Sequence, residues 1–587
     1  MSAVGVKSIW AWRVLFPSIL LVIYVALTSC TPARVVVAAP EAPQITIRIP
    51  NLDPKVKMGV ARVIGTDKVT SLDQGKFVLE DCKLGQSISV WVAGYYIRSF
   101  PCLEKPSHEY SIELEPINPT DNPNYAWISA DTQFNAVLGC ARCHSDPSGL
   151  LNEYSEWNVD GHSKALISSY FWTTYTGTNI NRALSQETLW GFSPSGTRFR
   201  LPPDSSKANF GPGYQLDYPN GSGNCAFCHA PAAIGATQQE ANLTSWISGS
   251  WGNRVNVVTE GVTCDVCHKV IGVSLDQNKL PYLDRPGILS FSFLRPTSGS
   301  QFVAGPWSQL TTSMTDIKRT CVSIFSDSSF CAPCHYAKFS GVEIYGSYKE
   351  WLDSPYSQPN QGYRSCQDCH MQSSQSVDGT VAAARSACSP ENHSFNNFSH
   401  NMLNRDNTGS PVMIERAATV TVDARKEEGK IKVDVAVVNT RAGHKLPTDS
   451  PLRHLILVIE VRDENNTPLT QVEGPIIPEW GGTGNQPEDY AGQPGVIYAN
   501  LLKDKDTNMV PAVSYWNPTI PAWEGSDTRL LPNQYVLSQY SFVTQSHGDV
   551  TITAKLFYRY AFIDIMRQKG LQSRDVLVNW DDHTVSE

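Results

Sequence analysis

Short alternations of apolar and polar residues mark both ends of the chain and are nearly absent between them. Near the start, "ITIRI" (45–49), "KFVLED" (76–81), "SISVWVAGYYI" (87–97) and "YSIELEPI" (110–117) each repeat with period two and are separated by turn residues. That pattern predicts half-buried strands, and so a small β-sandwich over 45–118. The alternation returns with "ATVTVDA" (418–424), "KIKVDVAVVNT" (430–440), "HLILVIEVRD" (454–463), "YVLSQYSFVT" (535–544) and "DVTITAKLFYRYAF" (549–562). These predict a second β-sandwich over 411–587. Residues 119–410 show neither strand alternation nor long helical periodicity. Gly-, Ser- and Pro-rich loops join short candidate helices there, such as "YSEW" and "YKEWL". The expected class is α+β multidomain: an N-terminal β-sandwich, a central region of short helices and loops, and a C-terminal β-sandwich. So little regular structure gives the central region few side chains from which to build a core, so another source of apolar bulk is expected.

The N-terminus departs from both patterns. Lys7 and Arg13 precede an apolar stretch from Val14 to Leu27 broken only by Pro17 and Ser18. This length suits a signal peptide over 1–29 better than a span, which needs about 20 residues; an uncleaved anchor is the alternative. "LTSC" (27–30) resembles the bacterial lipoprotein processing box, and that resemblance implies lipidation of Cys30. The Ala- and Pro-rich segment 30–44 then reads as a tether. The expected location is outside the cytoplasmic membrane, anchored and facing the periplasm or the cell exterior.

Composition adds two constraints. Only 18% of the 587 residues are charged and the net charge is -9, with no Lys/Arg cluster, so no nucleic-acid partner is expected. The chain has 15 cysteines. Ten of them fall in five copies of one motif: "CARCH" (Cys140, Cys143, His144), "CAFCH" (Cys225, Cys228, His229), "CDVCH" (Cys264, Cys267, His268), "CAPCH" (Cys331, Cys334, His335) and "CQDCH" (Cys366, Cys369, His370). Cys-x-x-Cys-His is the c-type haem attachment sequence. Two thiols bind one edge of the macrocycle and the following histidine becomes the proximal iron ligand. Zinc or thiol redox chemistry would use Cys-x-x-Cys but has no need of an adjacent histidine. Five covalent haems would also supply the missing apolar bulk. The second and third motifs start 39 residues apart and the fourth and fifth 35 apart, so each of those pairs is expected to lie close.

Over 135–460 the wording is also specific: "CARCH…EYSEWNVDGHSKA", "PGYQLDYPNGSGNCAFCHAPAA", "GVTCDVCHK", "CAPCH…YGSYKEWLDSPYS…SCQDCHM", "HSF" at 393 and "NTRAGHKLPTDSPLR" at 439. This stretch resembles the pentahaem, cytochrome c-552/c-554-like haem regions of multihaem c-type cytochromes. The resemblance implies that His162 and His444 are distal haem ligands. The catalytic pentahaem nitrite reductases carry one attachment site ending in Lys, whereas all five motifs here end in His. "KFVLEDCKLGQSISVWVAGYY" resembles the β modules of carboxypeptidase regulatory domains. Cys82 and Cys102 fall within it; in an exported protein a disulfide is their simplest use, two free thiols being the alternative.

His393 and His400, seven apart in "HSFNNFSHNM", are further distal candidates. His108, His454, His547 and His583 read as surface or turn residues. Cys321 and Cys388 could pair, but spacing cannot show it. Four distal candidates serve five irons, so at least one haem is expected to lack a distal histidine from its own chain. One further feature bears on this. "YSEWNVDGHS" (154–163) and "YKEWLDSPYS" (348–357) align without a gap, yet His162 in the first is Tyr356 in the second. The function expected is electron transfer between redox partner proteins or to extracellular acceptors. A reductase or oxidase of a small nitrogen or sulfur compound at an open haem, and a subunit of a haem-conducting filament, remain as alternatives.

Overall fold

The computed structural model describes residues 44–80, 82–103, 109–145, 152–297, 301–308, 317–372, 387–389, 399–403, 412–545, 547–572 and 575–586. Cys30, His108 and His393 lie outside the described residues. No helix among the described residues is long and apolar enough to cross a membrane.

The first alternating runs become two small sheets. One orders Lys76–Glu80, Gln44–Arg48 and Glu109–Ser111; the other orders Val69–Ser71, Gly59–Val63, Ser87–Val92 and Arg98–Pro101. Ile45, Ile47, Phe77, Leu79, Ile88 and Val90 point between them and are buried, each burial contributing about 1.5–3 kcal/mol. A disulfide joins Cys82 to Cys102 in this core. The outer face docks on the central region. Trp91 Nε1 donates to Thr320 Oγ1 (3.0 Å), and the Ile97 amide donates to the Arg319 carbonyl (2.8 Å).

The C-terminal runs become two four-stranded antiparallel sheets. One orders Ala418–Glu427, Lys430–Asn439, Tyr535–Val543 and Thr470–Glu473; the other orders Gly495–Ala499, His454–Arg462, Val550–Arg559 and Val576–Val585. Their facing residues, among them Val433, Val435, Leu455, Leu457, Ile552 and Leu556, form the largest core. His454 is a correction to the surface reading: it is 0% exposed. It heads a central strand between Ala499 and Arg559 and stacks on Phe562 at 4.9 Å. Burial, reinforced by Arg559, pushes its pKa down to about 3, so it is neutral. His583 lies in the last strand, opposite Ile552.

Between the sandwiches, no described helix exceeds the eight residues of Ser169–Thr176. The five motifs form helices of four or five residues: Ala141–His144, Cys225–His229, Cys264–Cys267, Ala332–His335 and Cys366–His370. Such short helices are marginal by themselves, and they are held by loops and two-stranded ribbons. At Gly287 (φ +55°) the chain runs against the second motif so closely that a Cβ would stand 2.3 Å from the Phe227 carbonyl oxygen. A second disulfide ties Cys321 to Cys388. The C-terminal helix Ile563–Lys569 docks on the central region through Lys569, whose buried Nζ donates to the carbonyls of Thr173 (3.0 Å), Thr178 (3.2 Å) and Pro212 (2.6 Å).

Candidate functional site: one cavity lined by five Cys-x-x-Cys-His motifs

All ten motif cysteines and all five motif histidines line one continuous cavity of about 2340 Å³, together with His162, His400 and His444. An ordinary ligand pocket holds roughly 300–1,000 Å³, so this space suits several large groups. Its walls also carry many aromatic side chains, with Tyr154, Trp157, Phe171, Tyr345, Tyr348 and Trp351 among them.

The histidines are set with one ring nitrogen engaged. Nδ1 of His144 bonds Glu153 Oε2 (3.0 Å), that of His229 the Ala165 carbonyl (2.9 Å), and that of His268 the Ala304 carbonyl (2.7 Å). Nδ1 of His335 bonds Asp449 Oδ2 (3.3 Å) and that of His370 the Met402 carbonyl (2.8 Å). His162 bonds Asp160 Oδ1 (2.7 Å), and His444 the Lys445 carbonyl (2.8 Å). With Nδ1–H donating, Nε2 keeps its lone pair for a metal, which is the usual outer-shell arrangement of a ligating histidine. Burial pushes His268 and His370 down to about 4, which keeps both rings neutral. Burial acts in the same direction on His162, but the Asp160 carboxylate outweighs it and the pKa is raised.

Three imidazole pairs face each other inside the cavity. His162 and His335 have ring centres 6.1 Å apart, His268 and His400 6.3 Å, and His370 and His444 6.2 Å. Each pair joins a motif histidine to one outside the motifs. Two imidazoles on opposite sides of one metal, each nitrogen about 2 Å from it, put their ring centres about 6 Å apart. The residues therefore fit an iron held between two histidines. They do not converge as a zinc site would: among the described residues no group of three or more His, Cys, Asp or Glu could hold a metal ion. Burial pushes Cys225 and Cys267 up to about 12 and Cys369 to about 11, so these thiols stay protonated. Among the described residues no second imidazole faces His144 or His229; Phe171 stacks flat on His229 at 4.0 Å instead.

Contacts between thiols show which motifs adjoin. Cys140 meets Cys264, Cys228 meets Cys334, and Cys331 meets Cys366. The fourth and fifth motifs are neighbours, in line with their spacing. The second and third are not joined this way: the third meets the first and the second meets the fourth. A long-range bond holds the first of these contacts: Trp157 Nε1 donates to the carbonyl of Val262 (2.9 Å), which keeps the approach to the third motif beside the first.

Asp449 has no signal in the sequence reading. Its Oδ2 faces His335, while Oδ1 accepts from the amides of Gly346 (3.2 Å) and Ser347 (3.1 Å), which begin the helix Ser347–Leu352. Burial alone would raise its pKa, but His335 holds it below the usual carboxylate range. Its place three residues after "GHKL" was the available clue.

No family model matches the chain, and no curated protein matches it. Among solved structures, a penta-heme cytochrome c552 from Thermochromatium tepidum aligns over 76% of this chain and 97% of its own, at 19% identity and a TM-score of 0.47. A collagen-binding domain from a Staphylococcus aureus adhesin aligns over 29% of this chain and 97% of its own, at 9% identity and a TM-score of 0.12.

Proposed function

We propose that the chain is an exported multihaem cytochrome c that passes electrons between redox partners in the cell envelope or at the cell surface. The observation that carries this reading is the set of three facing imidazole pairs, each built from one motif histidine and one other. Bound c-type haem supplies one-electron exchange at iron. The chain's residues do the rest. The ten motif cysteines would provide thiols for five covalent attachments, and each motif histidine would hold one iron. His162, His400 and His444 close the opposite face of three sites, and His393 is a fourth candidate. Two imidazoles leave no vacant position and keep the potential low compared with methionine ligation, which suits a carrier. The aromatic walls exclude water, and the adjoining motifs supply short steps from site to site. Lipidation at Cys30 would tether the protein to a membrane, with soluble redox proteins or extracellular acceptors as partners. The sandwiches over 45–118 and 411–587 would flank the haem region over 119–410.

Intact-mass measurement of the mature protein tests the reading. Five haem additions that survive acid-acetone extraction are expected; fewer additions, or haem that extracts, would overturn it. A second reading is favoured by one observation, that His144 and His229 face no second imidazole among the described residues. A small-molecule reductase or oxidase would use such an open face. Titration with cyanide or nitric oxide decides: binding at one or two irons supports this reading, and five irons that ignore both ligands remove it.

A further inference from the structure

The two copies of the Tyr-x-Glu-Trp segment match bond for bond. Tyr154 lies 5.7 Å from Trp157, and Tyr348 lies 5.8 Å from Trp351. Trp157 Nε1 donates to the carbonyl of Val262 (2.9 Å), two residues before Cys264; Trp351 Nε1 donates to the carbonyl of Arg364 (2.8 Å), two residues before Cys366. Asp160 accepts the amide of His162 (2.9 Å), as Ser354 Oγ accepts the amide of Tyr356 (3.2 Å). Ser163 Oγ donates to the carbonyl of Asp160 (3.0 Å), and Ser357 Oγ to that of Ser354 (3.0 Å). The thiol contacts repeat as well: Cys140 with Cys264, and Cys331 with Cys366. The first copy therefore ties motif one to motif three, and the second ties motif four to motif five.

The glutamates complete the correspondence. Glu156 Oε2 accepts the backbone amide of His400 (2.7 Å), the residue whose ring faces His268 of motif three. Glu350 Oε2 accepts the backbone amide of Lys445 (3.2 Å), next to His444, whose ring faces His370 of motif five. Glu350 also accepts from Thr448 Oγ1 (2.5 Å) and Arg529 Nη1 (2.7 Å), and it is 7% exposed. A buried carboxylate with fixed donors sets position more firmly than a neutral contact, because its bonds are charge-assisted and costly to break.

We propose that the haem region contains a duplicated two-motif module, motifs one and three repeated as four and five with motif two outside it, and that Glu156 and Glu350 are positioning residues. Each holds the chain segment that brings the distal imidazole to the second motif of its own module. The inference rests on the haem reading above, and it assigns the two glutamates a role in ligation although neither touches the iron site. It also accounts for the unequal tips. His162, at the end of the first copy, faces His335 of motif four, the first motif of the second module. The second copy has no third module to reach, and Tyr356 at its tip instead packs against Gly443, beside His444.

The test uses the full-length, haem-loaded protein and carbon monoxide binding to the reduced form. Glu350→Ala is expected to keep its five haem additions by mass and to bind one more equivalent of carbon monoxide than wild type, with loss of one low-spin signal. Glu350→Gln keeps one acceptor oxygen but loses the charge, and is expected to bind less extra carbon monoxide than Glu350→Ala. If Glu350→Ala does not accumulate, Glu156→Ala and Glu156→Gln carry the same comparison at His400. No extra binding in an alanine variant that retains its haem, or equal extra binding in the glutamine variant, overturns the positioning role. Absence of haem from the wild-type protein would instead be a failure of the haem reading itself.

Discussion

Lys569→Met isolates one buried group at the junction of the C-terminal sandwich and the haem region. The lysine is 0% exposed, and its Nζ spends three donors on the carbonyls of Thr173, Thr178 and Pro212. Methionine keeps most of the volume and removes all three bonds. The Thr173 carbonyl retains the Gly177 amide (3.0 Å), so the damage falls mainly on the carbonyls of Thr178 and Pro212. An orphaned buried acceptor costs about 1–3 kcal/mol, while the ammonium's desolvation is relieved, so a net loss of about 2 kcal/mol is expected near pH 6. Burial pushes the Lys569 pKa from 10.5 down to about 7. Between those values the unfolded chain binds the proton and the folded chain does not, so folded stability rises with pH. Two pH units above the folded pKa this amounts to about 3 kcal/mol. The variant lacks the rise, so its deficit is expected to grow to about 5 kcal/mol near pH 9. Urea titration of the haem-loaded protein at both pH values, read by tryptophan fluorescence, measures the deficit. An equal deficit at the two, or one that shrinks as pH rises, would refute the linkage and mean that the three carbonyls hold the lysine charged throughout.

Three further outcomes are expected. His444→Ala is expected to convert one low-spin centre to high-spin and to loosen the C-terminal sandwich, as seen by electron paramagnetic resonance and limited proteolysis; an unchanged spectrum counts against His444 as a ligand. Trp351→Phe removes the hydrogen bond to the Arg364 carbonyl and should cost about 1–2 kcal/mol while leaving the haem count at five, measured by urea denaturation and mass. Cys30→Ser is expected to release the protein from membranes; a variant that stays membrane-bound and uncleaved would make the first 29 residues an anchor.

What the sequence made legible follows from the range of each interaction. The attachment motifs could be read because two thiols and a histidine must sit in five consecutive residues to meet one macrocycle edge. The sandwiches could be read because period-two burial is a local property of a strand. Ligand pairing is different. His162 with His335, His268 with His400 and His370 with His444 are brought together only by the fold, and the sequence could name the candidates without matching them. Trp157 also binds the carbonyl of Val262, 105 residues away, a contact that spacing along the chain could not show. His454 was misplaced for a related reason. A polar residue at the head of an apolar strand reads as a rim position, yet strands on both sides enclose it.

The Tyr356 substitution makes sense only at the level of the module. Helix packing and capping require the tyrosine, glutamate and tryptophan of the repeat whatever its tip does, because Trp157 and Trp351 each anchor the approach to a motif and Glu156 and Glu350 each hold a neighbouring segment. The tip has a separate task that depends on what lies beyond it. In the first copy that is motif four, and the residue is histidine. In the second it is the "GHKL" turn of the C-terminal sandwich, where Tyr356 lies near Gly443. Were His444 a ligand at motif five, ligation there would depend on the sandwich being docked, and Glu350, Asp449 and Arg529 all cluster at that seam.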